Sequence, residues 1–292
     1  MPELIETLDA IAADYDALLV DLWGCYHNGL RPYAEALDAL RRYRAGGGTV
    51  LLLTNAPRPA WGVQRFLDRI GAPGAPGDTH DGIMSSGEAC KRSMANGRYG
   101  RRFHYVGPDR DLDMLSDFGS PVSLDEAETI LLVGLRDDQT EQPSDYDAEF
   151  EDWAARGLPV LCANPDVIVD RGEERLWCAG ALAERYEERH GADGATVVWY
   201  GKPHAPSYDE SFALLETLAG RSFARDRVLG IGDGIATDVK GAHAQGCHAL
   251  FITGGIAAAE IGDTPETPDP ARLAAFCARE GQEPRYAMSF LR

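Results

Sequence analysis

The sequence predicts an α/β protein: a Rossmann-like parallel-sheet core with a smaller α/β domain inserted into it. Three observations carry this. Strand-length apolar runs alternate with helical stretches along the chain. The runs are continuously apolar, as in strands buried on both faces. A stretch rich in Gly, Pro and Asp, from Gly71 to Asp81, interrupts the alternation, and the same order resumes beyond it.

In chain order, Leu4 to Ala13 reads as a helix and Ala17 to Val20 as a strand. Tyr33 to Arg44 reads as an amphipathic helix with Leu37, Leu40 and Tyr43 on one face and Gly46-Gly47-Gly48 as its stop. Val50 to Leu53 is a buried strand and Trp61 to Ile70 a helix. Beyond the Gly/Pro/Asp stretch come a helix near Gly87 to Asn96, strands at Phe103 to Val106 and Thr129 to Val133, a helix at Tyr146 to Arg156 and a strand at Pro159 to Ala163. A helix at Ala179 to His190 follows, then strands at Val197 to Tyr200, Val228 to Ile231 and Ala249 to Ile252, with helices at Tyr208 to Ala219 and Ile235 to Gln245. The expected boundaries are core over 1–81 and 179–292, with the inserted domain over 82–178.

Composition narrows the function classes. The 292 residues suffice for a core plus a smaller domain. The longest apolar runs are far too short to span a bilayer, and Met1-Pro2-Glu3-Leu4-Ile5-Glu6 lacks the basic leader of a secretory signal. Six cysteines without a C-x-x-C or a regular framework fit reduced thiols in a cytoplasm. A formal net charge of -19 opposes nucleic acid and anionic membranes as partners. It also opposes phosphorylated substrates unless a metal, lysine or backbone amides compensate locally. Lysine occurs only at positions 91, 202 and 240, so a lysine in a catalytic context is informative.

Four polar positions follow apolar strands: Asp21, Thr54-Asn55, Lys202 and Asp233. In one parallel sheet they would converge on a single carboxyl edge, where open α/β sheets bind ligands. Together they suit phosphoryl transfer. Asp21 can attack phosphorus, Thr54 and Lys202 can hold phosphoryl oxygens, and Asp21 with Asp233 can hold Mg²⁺. Taken singly, each has another reading: a strand-end aspartate also caps turns, Thr54-Asn55 can open a helix, and Lys202 can be a solvated loop residue. Gly230-x-Gly232-x-Gly234 has the wrong final spacing for a dinucleotide turn, and His243 and His248 lack a metal-binding spacing.

Asp21-Leu22-Trp23-Gly24, Leu53-Thr54-Asn55, Gly201-Lys202-Pro203 and Gly232-Asp233-Gly234-Ile235-Ala236-Thr237-Asp238 resemble the four ordered motifs of haloacid dehalogenase-superfamily phosphatases. Thr54-Asn55, Asn164-Pro165-Asp166, the Gly-Lys-Pro form of the third motif and the large insertion are similar to the class IIA branch of 4-nitrophenylphosphatase and sugar-phosphatase-like enzymes. The resemblance implies that Asp21 is the nucleophile of an aspartyl-phosphate, that Thr54 and Asn55 bind phosphate and that Lys202 neutralises it. It implies Mg²⁺ held by Asp21, the Trp23 carbonyl and Asp233, with Asp238 nearby through water. The insertion would be a cap domain, with Asn164 and Asp166 on a cap loop beside the substrate. A small phosphorylated metabolite as substrate and a homodimer formed through the cap are also implied.

One position departs from that pattern. Most phosphatases of the superfamily carry, two residues after the nucleophile, an aspartate that protonates the leaving oxygen and activates water. Here it is Trp23, and general acid–base help is worth on the order of a hundredfold to ten-thousandfold. Three outcomes are open: a bias to leaving groups that need no proton, a proton from His27 or His204, or a phosphate-ligand binding protein that has lost fast chemistry.

Overall fold

Each residue of Ala17–Val20 is buried, and so are all five of Val228–Gly232, which is the environment their unbroken apolar sequences call for. The computed structural model describes residues 1–171 and 174–292. Its strands in chain order are β1 (Glu3–Leu4), β2 (Ala17–Val20), β3 (Thr49–Thr54), β4 (Gly82–Ser85), β5 (Phe103–Val106), β6 (Thr129–Leu132), β7 (Val160–Cys162), β8 (Ile168–Arg171), β9 (Glu174–Trp177), β10 (Val197–Trp199), β11 (Val228–Gly232), β12 (His248–Ile252), β13 (Gly262–Thr264), β14 (Thr267–Pro268) and β15 (Tyr286–Met288). Contacts divide the chain into two compact units, one of residues 1–54, 61–84 and 208–292 and one of residues 55–60 and 85–207.

The first unit is built on a sheet ordered β1-β15-β12-β11-β2-β3-β4. The pairings of β2 with β3 and β11, of β12 with β11 and β15, and of β1 with β15 are all parallel. Leu18, Val50, Leu52, Leu229 and Leu250 are fully buried in it, each contributing about 1.5–3 kcal/mol by leaving water. Because β2 lies between β3 and β11, the chain following each of these three strands emerges at neighbouring places on one carboxyl edge.

The second unit has its own sheet, ordered β10-β7-β6-β5 and parallel throughout. The helices Asp147–Arg156 and Ala179–His190 pack Phe150, Trp153, Leu182 and Tyr186 against Ile130, Leu132 and Val160 to form its core. β8 and β9 pair antiparallel as a separate ribbon.

Three expectations change. The segment Leu4 to Ala13 is a short strand followed by two single 3₁₀ turns, Leu8–Ala10 and Ala12–Asp14. Its backbone is claimed by the C-terminal segment: Glu3 N–H donates to Arg285 O, Ile5 N–H to Ala287 O and Leu8 N–H to Arg292 O. Strand pairing satisfies those groups without the cost of nucleating a helix. The Ile235–Gln245 helix begins as a π-turn over Ile235–Val239 and becomes α only over Lys240–Ala244. β10 belongs to the second sheet, so Lys202 follows a strand of that sheet and not one of the sheet whose strands lead into Asp21, Thr54 and Asp233.

Candidate active site

Asp21 is the first residue beyond β2, and its N–H still donates to Ile231 O of β11 at 2.8 Å, which holds the aspartate to the sheet edge. The chain then turns tightly: the N–H groups of Tyr26 and His27 both bond Leu22 O, and Gly24 N–H bonds His27 O. Gly24 makes the turn possible. It has φ of +79°, and a Cβ there would lie 2.1 Å from Asp233 Oδ2. The result is a buried cluster in which Asp21, Cys25 and Asp233 each place a ligand atom within 4.8 Å of the others.

Asp233 follows β11 and is gripped from a second side. Its Oδ2 accepts the N–H of Ile256 at 3.0 Å, and a Cβ on Gly255 would lie 2.0 Å from that oxygen. Asp238 is buried but is not a member of the cluster. Its Oδ2 accepts from Gly234 N–H at 3.1 Å and Thr237 Oγ1 at 3.3 Å, so it ties down the loop that presents Asp233. That loop runs into the π-turn, a distortion frequent at functional sites. Thr54 ends β3, the strand beside β2.

The second unit assembles another group. Asn55 accepts Lys202 N–H on Oδ1 at 2.7 Å, and its Nδ2 donates to Lys202 O at 3.1 Å and to Asp166 Oδ1 at 2.8 Å. Asp166 N–H in turn donates to Asn164 Oδ1 at 3.1 Å. Lys202 is buried and precedes a cis peptide bond to Pro203. Gly201 has φ of +111°, and a Cβ there would meet the Pro165 ring at 2.4 Å, so only glycine fits between Lys202 and the Asn164–Asp166 loop. The sequence-predicted residues therefore form two constellations, Asp21–Asp233 in one unit and Asn55–Lys202–Asp166–Asn164 in the other.

The histidines differ in setting. His27 is buried, and loss of hydration pushes its pKa down to about 4, which leaves the ring neutral at pH 7. Its Nδ1 accepts Gly29 N–H at 2.9 Å. His204 stacks on Trp199 with centroids 5.2 Å apart. His243 hydrogen-bonds Gln282, and His248 meets Tyr15 and Arg285. Trp23 is 53% exposed.

The sequence reading passed over three contributors. Cys25 joins the carboxylate cluster, and its only sequence signal is its position four residues after Asp21 in a predicted turn. Gly255 and Ile256 clasp Asp233 from the loop after β12, where nothing local marks them.

As a metal site the cluster is well matched. Two carboxylates buried this close repel one another unless a cation lies between them, and their hard oxygens suit Mg²⁺. Glycines at 24 and 255 leave the Asp233 oxygens room that any side chain would fill.

The chain resembles known proteins in sequence and fold. A model described as haloacid dehalogenase-like hydrolase matches residues 18–120, and one described as HAD-hydrolase-like matches residues 199–274. A haloacid dehalogenase-like hydrolase from Brucella suis 1330 is 37% identical with a TM-score of 0.79, over 99% of this chain and 100% of its own. The p-nitrophenyl phosphatase of Archaeoglobus fulgidus shares the fold at 19% identity and a TM-score of 0.74, over 94% of this chain and 96% of its own. The glycerol phosphate phosphatase of Mycobacterium tuberculosis, solved in complex with calcium, is 25% identical with a TM-score of 0.63, over 84% of this chain and 68% of its own. No curated protein matches the chain.

Proposed function

The chain belongs to the haloacid dehalogenase-like hydrolase family and has the fold of its class IIA phosphatases, and from that premise we propose a Mg²⁺-dependent phosphatase of a small phosphorylated metabolite, acting through Asp21. The observation that carries this reading is the convergence of Asp21 and Asp233, two buried carboxylates with ligand atoms within 4.8 Å of each other, the second closely approached by Gly24 and Gly255.

In this reading an Asp21 carboxylate oxygen attacks phosphorus in line. The bond to the leaving oxygen breaks, and that oxygen departs with the electron pair. Water then attacks the aspartyl-phosphate at phosphorus, releasing inorganic phosphate and restoring the carboxylate. Asp21, Asp233 and the Trp23 carbonyl would hold Mg²⁺, with Asp238 nearby, and the bound ion would supply charge neutralisation to the phosphoryl oxygens. Thr54 holds one of those oxygens and Lys202 neutralises another. Asn55 contributes by fixing the Lys202 backbone, and Asn164 and Asp166 belong to the leaving-group side. Trp23 offers no proton, and His27 is uncharged at neutral pH, so turnover favours leaving groups that depart as stable anions.

The same Trp23 favours a second reading, a phosphate-ligand binding protein with impaired chemistry. A panel of 4-nitrophenyl phosphate, acetyl phosphate, pyrophosphate and sugar phosphates separates the two. Phosphate release that requires Mg²⁺ and vanishes in Asp21→Asn is the phosphatase outcome. Tight Mg²⁺-dependent ligand binding without turnover is the binding-protein outcome, and full activity in Asp21→Asn removes Asp21 as nucleophile. Six buried free thiols suit a reducing cytoplasm, and a homodimer through the cap would show in sedimentation at micromolar concentration.

A further inference from the structure

Trp23 presents an unusual combination: a large apolar ring that is rigidly supported yet left uncovered. The six-membered end of the indole packs on the loop at Gly29, where a Cβ would lie 2.4 Å from Cη2. His27 meets the indole edge-on at 5.7 Å between centroids, and Phe66 meets His27 in the same manner at 5.4 Å. His27 is itself pinned by the Gly29 N–H bond to Nδ1. A ladder of two aromatic rings, His27 buried and Phe66 half-buried, thus props up a third ring that is 53% exposed. Burial does not account for ordering that ring, because half of it remains in water.

Its location gives the ring a role. Trp23 lies in the tight turn between Asp21 and Cys25, two members of the buried carboxylate cluster, and its ring is exposed where their side chains are buried. Leu30, next in sequence to the Gly29 that the indole packs on, and Ile256, whose N–H binds Asp233, are exposed apolar residues too, in a strongly acidic protein. A flat, apolar group gains stacking on the indole.

We infer that the Trp23 indole is a stacking platform for the leaving group and that the substrate is an ester of phosphate with a planar aromatic or enolic hydroxyl. The inference rests on the phosphatase reading and deepens it. The residue that removes the proton donor selects, through its ring, those leaving groups that depart without a proton: the P–O bond breaks, the oxygen retains the electron pair, and the π-system delocalises the charge. Trp23 acts here as a specificity-determining residue.

The test separates flatness from leaving-group acidity. Phenyl phosphate and hexafluoroisopropyl phosphate have leaving groups of comparable acidity, and only the first is planar. The wild-type protein is expected to favour phenyl phosphate in kcat/KM by about 3- to 10-fold, the value of an offset aromatic pair. Trp23→Leu is expected to abolish that preference and Trp23→Phe to retain most of it. Calorimetric binding of phenylphosphonate against methylphosphonate, with Mg²⁺ present, should show the same order without any turnover. An unchanged ratio in a folded Trp23→Leu protein, or equal binding of the two phosphonates to the wild type, overturns the inference. Absence of turnover on every substrate would overturn the phosphatase reading instead, and the phosphonate pair would still decide the role of Trp23 alone.

Discussion

The carboxamide of Asn55 holds both polar groups of the Lys202 main chain, accepting its N–H at 2.7 Å and donating to its C=O at 3.1 Å, while the second Nδ2 hydrogen reaches Asp166. A lysine on a flexible stem is thereby given a fixed base. Misplacing a catalytic group by about 1 Å can cost on the order of a hundredfold. Asn55→Ala is expected to lower kcat by about 10- to 100-fold in steady-state assays. Asn55→Asp keeps the acceptor for Lys202 N–H but sets a second carboxylate against Asp166, and should be no better. Wild-type kcat in a less heat-stable Asn55→Ala protein would reduce Asn55 to a structural role.

The Asp21–Asp233 pair makes a thermodynamic prediction independent of turnover. A cation that binds only the folded chain stabilises it by about 2.7 kcal/mol at a hundredfold excess over Kd. Mg²⁺ should therefore raise the melting temperature of the wild type and leave that of Asp21→Asn nearly unmoved. In chelator the order should invert, because Asp21→Asn relieves the repulsion between two buried carboxylates. Scanning calorimetry with and without Mg²⁺ checks both halves. An equal Mg²⁺ response in the two proteins would show that the cation binds elsewhere.

Much of this site could be seen in the sequence because β2, β3 and β11 each carry an apolar run that leads into a polar residue, Asp21, Thr54 and, after Gly232, Asp233, so strand and strand end are visible together. β10 looks the same on paper. Val197–Trp199 carries no local mark of which sheet it will join, and only pairing with β7 places Lys202 in the second unit. The helix expected over Leu4 to Ala13 failed for a similar reason, since its backbone partners lie at the far end of the chain. β4 was hidden because Gly82–Ser85 follows directly on the Gly/Pro/Asp stretch that reads as a junction. Cys25, Gly255 and Ile256 became functional candidates only when chain segments more than two hundred residues apart closed around Asp233.

Within the second unit, Glu149 Oε1 accepts from Arg136 Nη2 at 2.7 Å and from Trp153 Nε1 and His104 Nε2 at 3.3 Å. Burial pushes this carboxyl up, but the hydrogen bonds from His104 and Arg136 outweigh it and hold its pKa down to about 2. A carboxyl more acidic in the folded chain than in the unfolded one stabilises the fold fully above the unfolded pKa and loses that contribution as pH falls towards the folded value. Glu149→Gln should therefore cost about 1–3 kcal/mol at neutral pH, with the difference from wild type shrinking as pH falls from about 5 towards 3. Urea unfolding across that range measures it. A difference independent of pH would mean that the carboxylate charge contributes nothing.

Trp23→Asp is the converse of removing the platform, because it places a carboxyl where the indole stands, two residues after Asp21. The side chain is shorter and vacates the ring's seat on Gly29, so the new carboxyl has room to move. General acid–base assistance is worth about 10²–10⁴ where the leaving group is a poor anion, and little where it is a good one. Turnover of an alkyl phosphate such as glycerol phosphate should therefore rise by about 10²-fold in the variant, the lower end of that range, since nothing yet orients the added group. Turnover of 4-nitrophenyl phosphate should not rise, and should fall as stacking is lost. Plotted against leaving-group acidity, kcat/KM for the wild type should slope steeply and that for Trp23→Asp should be flatter. Parallel slopes with unchanged alkyl turnover would show that the missing proton donor is not what limits the wild-type protein, and a proton source other than position 23 would have to be sought.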